Sequence, residues 1–304
     1  MDPAHSTPLH PGCGLCALRS RRWFTGLLGA GAAGLLSPDV HAQPAAPDEG
    51  LRRDVGRNSR FTSLVPAEQL EAAAAQQYQQ MLREAAQQRA LGNSDHPQVV
   101  RLRAIAQRIV PFASPWNRRA EQWRWEVNLL GSRELNAFCM PGGKIAFYFG
   151  ILQKLQLSDD EVAAIMGHEV AHALREHARE RMGKTAATRV GAGVLSALLG
   201  LGGAGDMLLN MGGQLLTLKF SREDETEADI VGMDLAARAG YDPAAGVSLW
   251  QKMMQANRNA PPQWMSTHPS SDTRIKEIQS RLVKAQPLFD KAPRPSQRFA
   301  PPKA

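Results

Sequence analysis

From residue 66 onward the chain alternates between two kinds of hydrophobic spacing. Pro66 opens a stretch rich in Ala, Gln and Glu that predicts a helix to about Leu91. Leu102, Ile105, Ala106 and Ile109 repeat at helical spacing and predict a second helix from Pro97 to Val110. The period then falls to two. Trp123, Trp125, Val127 and Leu129 alternate with polar residues and read as a strand. Asn136 to Met140 and Ile145 to Phe149 read as two more, joined by the turn Pro141-Gly142-Gly143. Helical spacing returns at Val162, Ile165, Met166, Val170 and Ala173. Ser158 with Glu161 three residues on is a capping box that starts this helix. Further helices are predicted for Arg222 to Arg238, for Pro243 to Asn257 behind an Asp242 cap, and for Asp272 to Ala285. The pattern is that of one α+β domain, mostly helical, with a small antiparallel sheet beside the helix that begins at Ser158.

That helix carries the chemistry. His168-Glu169-Val170-Ala171-His172 reads H-E-x-x-H, and no proline interrupts 158–182. Residues four apart share a helix face, so both imidazoles can reach one metal ion. Neutral ring nitrogens suit Zn²⁺, and Glu169 then stands beside the open position, where a carboxylate can take a proton from water. The bland alternative is an amphipathic helix with two surface histidines.

The N-terminus reads as a targeting segment. Ser20-Arg21-Arg22-Trp23-Phe24 resembles a twin-arginine export signal, Phe24 to Leu36 is mildly apolar, and Val40-His41-Ala42 fits a cleavage site. A signal over 1–42 would leave a mature bacterial periplasmic protein. Cys13 and Cys16 would go with it, leaving Cys139 as the sole thiol. An internal disulfide and a cysteine zinc cluster are thereby excluded from the mature chain. Residues 43–60 and 287–304 are rich in Pro, Ala and Arg, and read as a flexible linker and a disordered tail around a domain at 61–286. A net charge of +7 is spread without a basic patch, so nucleic acid is not an expected partner. Residues 190–218 carry one charge, Asp206, and many glycines. They read as short apolar helices packed on the H-E-x-x-H helix; a lid, or a hairpin in peripheral contact with a membrane, is the sharper alternative.

Two histidines leave a metal one protein ligand short. A third histidine just downstream would need Gly at 175 and His at 178, where the chain has Arg175 and Ala178. His177 lies five residues past His172, off the ligand face of a continuous helix, and reads as a structural or surface histidine. An acid from the next polar helix is the remaining source. Glu223, Glu225 and Glu227 all qualify by spacing. Glu225 and Asp229 are four apart, and an acid one turn beyond a ligand can hold the free N–H of a metal-bound histidine.

Four blocks now resemble the gluzincin family of the type I CAAX prenyl proteases and the soluble periplasmic β-barrel assembly-enhancing proteases. They are Asn136-Ala137-Phe138 with Pro141-Gly142-Gly143; Leu157 to Glu161 running into His168 to His172; Ser221-Arg222 with Glu225 to Asp229; and His268-Pro269 with Arg274-Ile275. The resemblance implies one zinc held by His168, His172 and Glu225, with Glu169 as the base. It implies a strand at Asn136, Ala137 and Phe138 that pairs with extended substrate, and it raises a role for His268 at the site. With Asp229 in support of a ligand histidine, Arg222 and His268 are the candidate donors to the oxyanion; His268 could instead occupy the zinc's fourth position. Transmembrane helices of the prenyl proteases are not evident. The implied function is a zinc endopeptidase acting on polypeptides, misfolded envelope proteins among them. A periplasmic chaperone that uses the zinc fold as scaffold is the alternative.

Overall fold

The computed structural model describes residues 50–188, 215, 218–257, 263–268 and 272–303. The expectations for the export signal and for most of 190–218 lie outside these residues. Nine helices are described: α1 (Ala67–Gln87), α2 (Pro97–Ile109), α3 (Phe149–Lys154), α4 (Asp159–Leu174), α5 (His177–Thr188), α6 (Arg222–Arg238), α7 (Ala245–Asn257), α8 (Gln263–Thr267) and α9 (Asp272–Lys291). Three strands accompany them: β1 (Glu126–Leu130), β2 (Ala137–Met140) and β3 (Lys144–Tyr148). The described residues all belong to a compact unit spanning 46–304. Among them no helix is long and apolar enough to cross a membrane.

The α+β class and the small sheet agree with the sequence, but the sheet is mixed rather than antiparallel throughout. Its order is β1-β3-β2. The turn at Pro141–Gly143, with Gly142 and Gly143 at φ +81° and +76°, folds β2 back on β3 as a hairpin. β3 therefore lies between its two partners, and β1 runs parallel to it from Glu126↔Lys144 to Leu130↔Tyr148. Alternation within each strand reveals neither neighbour nor direction. β2 is left as an edge, with no strand on its other side among the described residues.

α4 is the centre of the fold. Its capping box forms as the sequence predicts: Ser158 Oγ accepts from the Glu161 amide, and the Glu161 carboxylate accepts from the Ser158 amide. The helix ends earlier than its composition implies. Glu176 takes φ +58°, the chain turns, and α5 begins at His177. From Ile165 to Leu174 every α4 side chain is buried, so the amphipathic pattern understates its burial. β2 packs on one side of it and α6 on another. A second capping box, Ser221 with Asp224, starts α6.

α4 and α6 cross at two glycines. A Cβ on Gly167 would come within 2.6 Å of the Gly232 carbonyl oxygen, and one on Gly232 within 2.6 Å of the His168 amide nitrogen. Backbone lies against backbone there, one residue from the first histidine of the motif.

The described parts of both ends are ordered on the body, contrary to the expected linker and tail. Leu51 is fully buried and its amide donates to Asp234 Oδ1. α9 continues past Ala285 to Lys291, with Leu288 buried. Beyond it the chain has no regular secondary structure, and its polar groups find partners. The Phe299 amide donates to Asp159, Gln98 donates to the Ala300 carbonyl, and Arg298 pairs with Asp160. Composition shows the prolines but not these anchors.

Gly232→Ala should lower the unfolding free energy by about 1–3 kcal/mol, the usual cost of overpacking, and should reduce metal affinity as α6 is displaced. Urea unfolding and metal titration of the variant check both; wild-type values would mean that the crossing tolerates a methyl group.

Candidate metal centre

The four-residue spacing in α4 places His168 and His172 side by side, with Nε2 atoms 3.1 Å apart. From α6, across the glycine crossing, Glu225 brings Oε2 to 3.5 Å from His168 Nε2 and Oε1 to 3.5 Å from His172 Nε2. All three side chains are buried. Three ligand atoms on a tetrahedral zinc, each about 2.0–2.2 Å from it, would lie about 3.2–3.6 Å apart. The two Nε2 atoms lie close to that spacing, and each has one Glu225 oxygen at it, though not the same oxygen.

The protons argue the same way. His168 Nδ1 lies 3.0 Å from Asp229 Oδ1, and His172 Nδ1 lies 2.9 Å from His177 Nδ1. Asp229 can only accept, since Arg274 donates to both its oxygens and holds its carboxyl down; burial raises that pKa, but Arg274 and His168 outweigh it to bring it to about 2. Nδ1 is therefore the protonated nitrogen of His168, and its Nε2 lone pair faces His172 Nε2 and the Glu225 carboxylate. That is a cation site by its chemistry. Burial, together with His168, His268 and His177, keeps His172 well below its ordinary pKa and so neutral. Glu225 Oε2 is buried without an aligned hydrogen bond, although Arg274 Nη1 lies 2.6 Å away. Burial raises the Glu225 pKa, but His268 and Arg274 hold it below the usual carboxylate value.

The three candidate acids separate. Glu223 is exposed, Glu227 pairs with Arg175, and only Glu225 enters the cluster. Asp229 lies beside His168 Nδ1. Arg222 does not join them: it is exposed in the first turn of α6, and the guanidinium at the cluster is that of Arg274. α9 packs along α6 and brings Arg274 across instead.

His268 joins the cluster, with Nδ1 3.2 Å from His168 Nε2 and 2.9 Å from Glu225 Oε1. Burial opposes charge on this ring, but Glu169 and Glu225 outweigh it and raise its pKa. Glu169 Oε1 lies 3.7 Å from His268 Nε2 and accepts a 2.6 Å hydrogen bond from Trp264 Nε1. Nothing in the local sequence singles out Trp264; it sits on α8, a short helix where a loop was expected, and stacks on Trp250. The cleft over the cluster has Asn136 to Pro141 along one wall and Ala178, Leu215, Leu218 and Phe220 among its other lining residues, with Glu169, His172 and His268.

Residues 98–282 match the sequence pattern of Peptidase family M48. The chain belongs to that family. This M48 chain is 34% identical over 196 residues to the mitochondrial metalloendopeptidase OMA1 of Schizosaccharomyces pombe, covering 64% of this chain and 56% of that one. It is 30% identical over 154 residues to the metalloprotease LoiP of Escherichia coli, covering 50% and 60%. It is 27% identical over 171 residues to the β-barrel assembly-enhancing protease of Yersinia pestis, covering 52% and 35%. The M48 chain thus spans less than two thirds of the length of each of these relatives.

Glu225→Ala should weaken zinc binding far more than Glu223→Ala or Glu227→Ala, read by competition with a chromophoric chelator. Asp229→Asn should lose about 10–100-fold in affinity, as partners of metal-bound histidines do. If Glu223→Ala proves to be the variant that loses metal, Glu225 is not the third ligand.

Proposed function

We propose that the chain is a zinc-dependent endopeptidase of the bacterial periplasm, exported by its twin-arginine-type leader. It holds one zinc through His168, His172 and Glu225 and acts on polypeptides, misfolded envelope proteins among them. Bound zinc would act as a Lewis acid toward the peptide carbonyl and lower the pKa of water. Glu169 accepts the proton of the attacking water and later passes it to the leaving amine. The reading is carried by Glu169: a buried carboxylate in the cleft, beside the histidine cluster, which scaffolding alone would not need. The β2 edge leads to it. Asn136, Ala137 and Phe138 lie on that wall, suited to pairing with extended substrate backbone. Leu215 and Leu218, at the end of the low-charge 190–218 segment, also line the cleft.

His268 acts as a restraint. Its Nδ1 stands at ligand spacing from His168 and Glu225, so the ring can complete the zinc shell and exclude water. Its helix, α8, is continuous with this contact: the His268 amide donates to the Trp264 carbonyl, and Trp264 holds Glu169. Withdrawal of α8 would free both the metal and the base.

Glu169→Gln should keep its zinc and its fold but lose cleavage of casein; normal turnover, or loss of zinc, would contradict the role of the base. His268→Ala should raise basal proteolysis, self-cleavage included. If His268 instead donates to the oxyanion, kcat should fall by about 10²–10³-fold with zinc retained.

A further inference from the structure

His177 is buried at 1% exposure, and among the described residues its polar atoms point at two groups. Nδ1 faces His172 Nδ1 at 2.9 Å, and Nε2 faces Glu227 Oε2 at 3.4 Å. Glu227 is fixed in turn by Arg175, whose Nε donates to the same oxygen at 2.8 Å and whose Nη2 donates to the Gly56 carbonyl at 2.7 Å. A carboxylate at Nε2 assigns the single proton of a neutral His177 to Nε2. His177 Nδ1 is then an acceptor, and the donor facing it is the Nδ1–H of His172. Reversing the direction would leave Nε2 of His172 protonated and unable to bind metal. The same plan serves His168, whose Nδ1–H meets Asp229, itself held by Arg274. One histidine is thus held by an acid directly, the other by an acid acting through a second imidazole. Phe220 stacks on the His172 ring, with centroids 4.0 Å apart and planes inclined by 27°.

We propose that His177, anchored by Glu227 and Arg175, is a positioning residue that fixes the tautomer and ring orientation of His172 for metal binding; this rests on the metal assignment above. The chain from Gly56 through Arg175, Glu227 and His177 to His172 also gives the segment before α1 a part in holding the metal. Its failure and that of the metal assignment are separable, because the wild-type chain must bind zinc for the metal assignment to stand at all.

The test is the zinc dissociation constant of the full chain, measured by chelator competition, alongside the visible spectrum of the cobalt(II)-loaded protein. His177→Leu keeps most of the buried volume but offers no acceptor, and should bind zinc about 10–100-fold more weakly, with a changed cobalt spectrum. His177→Asn places a carboxamide oxygen near the position of Nδ1 and should recover most of that loss, which a merely space-filling role would not predict. Glu227→Ala alters a half-buried side chain and serves if His177→Leu does not fold; it should weaken zinc by less than about 10-fold, below the range for direct partners. Wild-type zinc affinity in folded His177→Leu, or in Glu227→Ala if the former is unfolded, would overturn the proposal. Equal losses in the Leu and Asn variants would overturn the acceptor role.

Discussion

The distance between α4 and α6 sets everything at the cluster. Gly167 and Gly232 let the two backbones touch, and the two histidines and Glu225 come from opposite sides of that contact. Ordinary side chains would hold the helix axes about 8–10 Å apart. At that separation a glutamate from α6 would have to extend further to meet two imidazoles on α4. The capping boxes at Ser158 and Ser221 fix where each helix begins, and so which residues stand at the crossing. Sheet, α7 and α9 then pack around a pair of helices whose relative position is already decided.

The crossing gathers charged and polar groups in one buried place. It brings together four buried histidines, His168, His172, His177 and His268, with the buried carboxylates Glu169 and Glu225, the partly buried Asp229, and Arg274 among them. Buried polar groups are tolerated only when each has a partner. Asp229 has Arg274 and His168; Glu169 has Trp264; His172 has His177. Glu225 meets Arg274 and His268, and the two Nε2 atoms face it and each other, an arrangement that a divalent cation would bridge. His268 fits the same logic, as a fourth donor that can stay or leave.

Much of this was legible in the sequence because it is local. The capping box, the H-E-x-x-H spacing and the Glu225–Asp229 pair each depend on one helix and its period. The acid among Glu223, Glu225 and Glu227 was not fixed by spacing, since all three lie within about one turn; the family pattern and the structure single out Glu225. What the sequence hid depends on a break or a crossing. His177 looked misplaced because a continuous helix turns it away from His172, whereas Glu176 at φ +58° ends α4 and lets the ring swing back. A positive φ at a glutamate has no sequence signature. Arg274 and Trp264 reach the site by tertiary packing from 45 or more residues away, as their hydrogen bonds to Asp229 and Glu169 record. The sheet direction and the ordered ends were hidden for the same reason: neighbours, not periodicity, determine them.

Everything above turns on two imidazoles and one carboxylate holding a single zinc. X-ray absorption at the zinc edge of the metal-loaded chain reads that shell without relying on activity. It should show one zinc per chain, a nitrogen and oxygen shell at about 2.0–2.2 Å, and outer scattering from at least two imidazoles. A sulfur shell at about 2.3 Å, or zinc bound without imidazole scattering, would rule the site out.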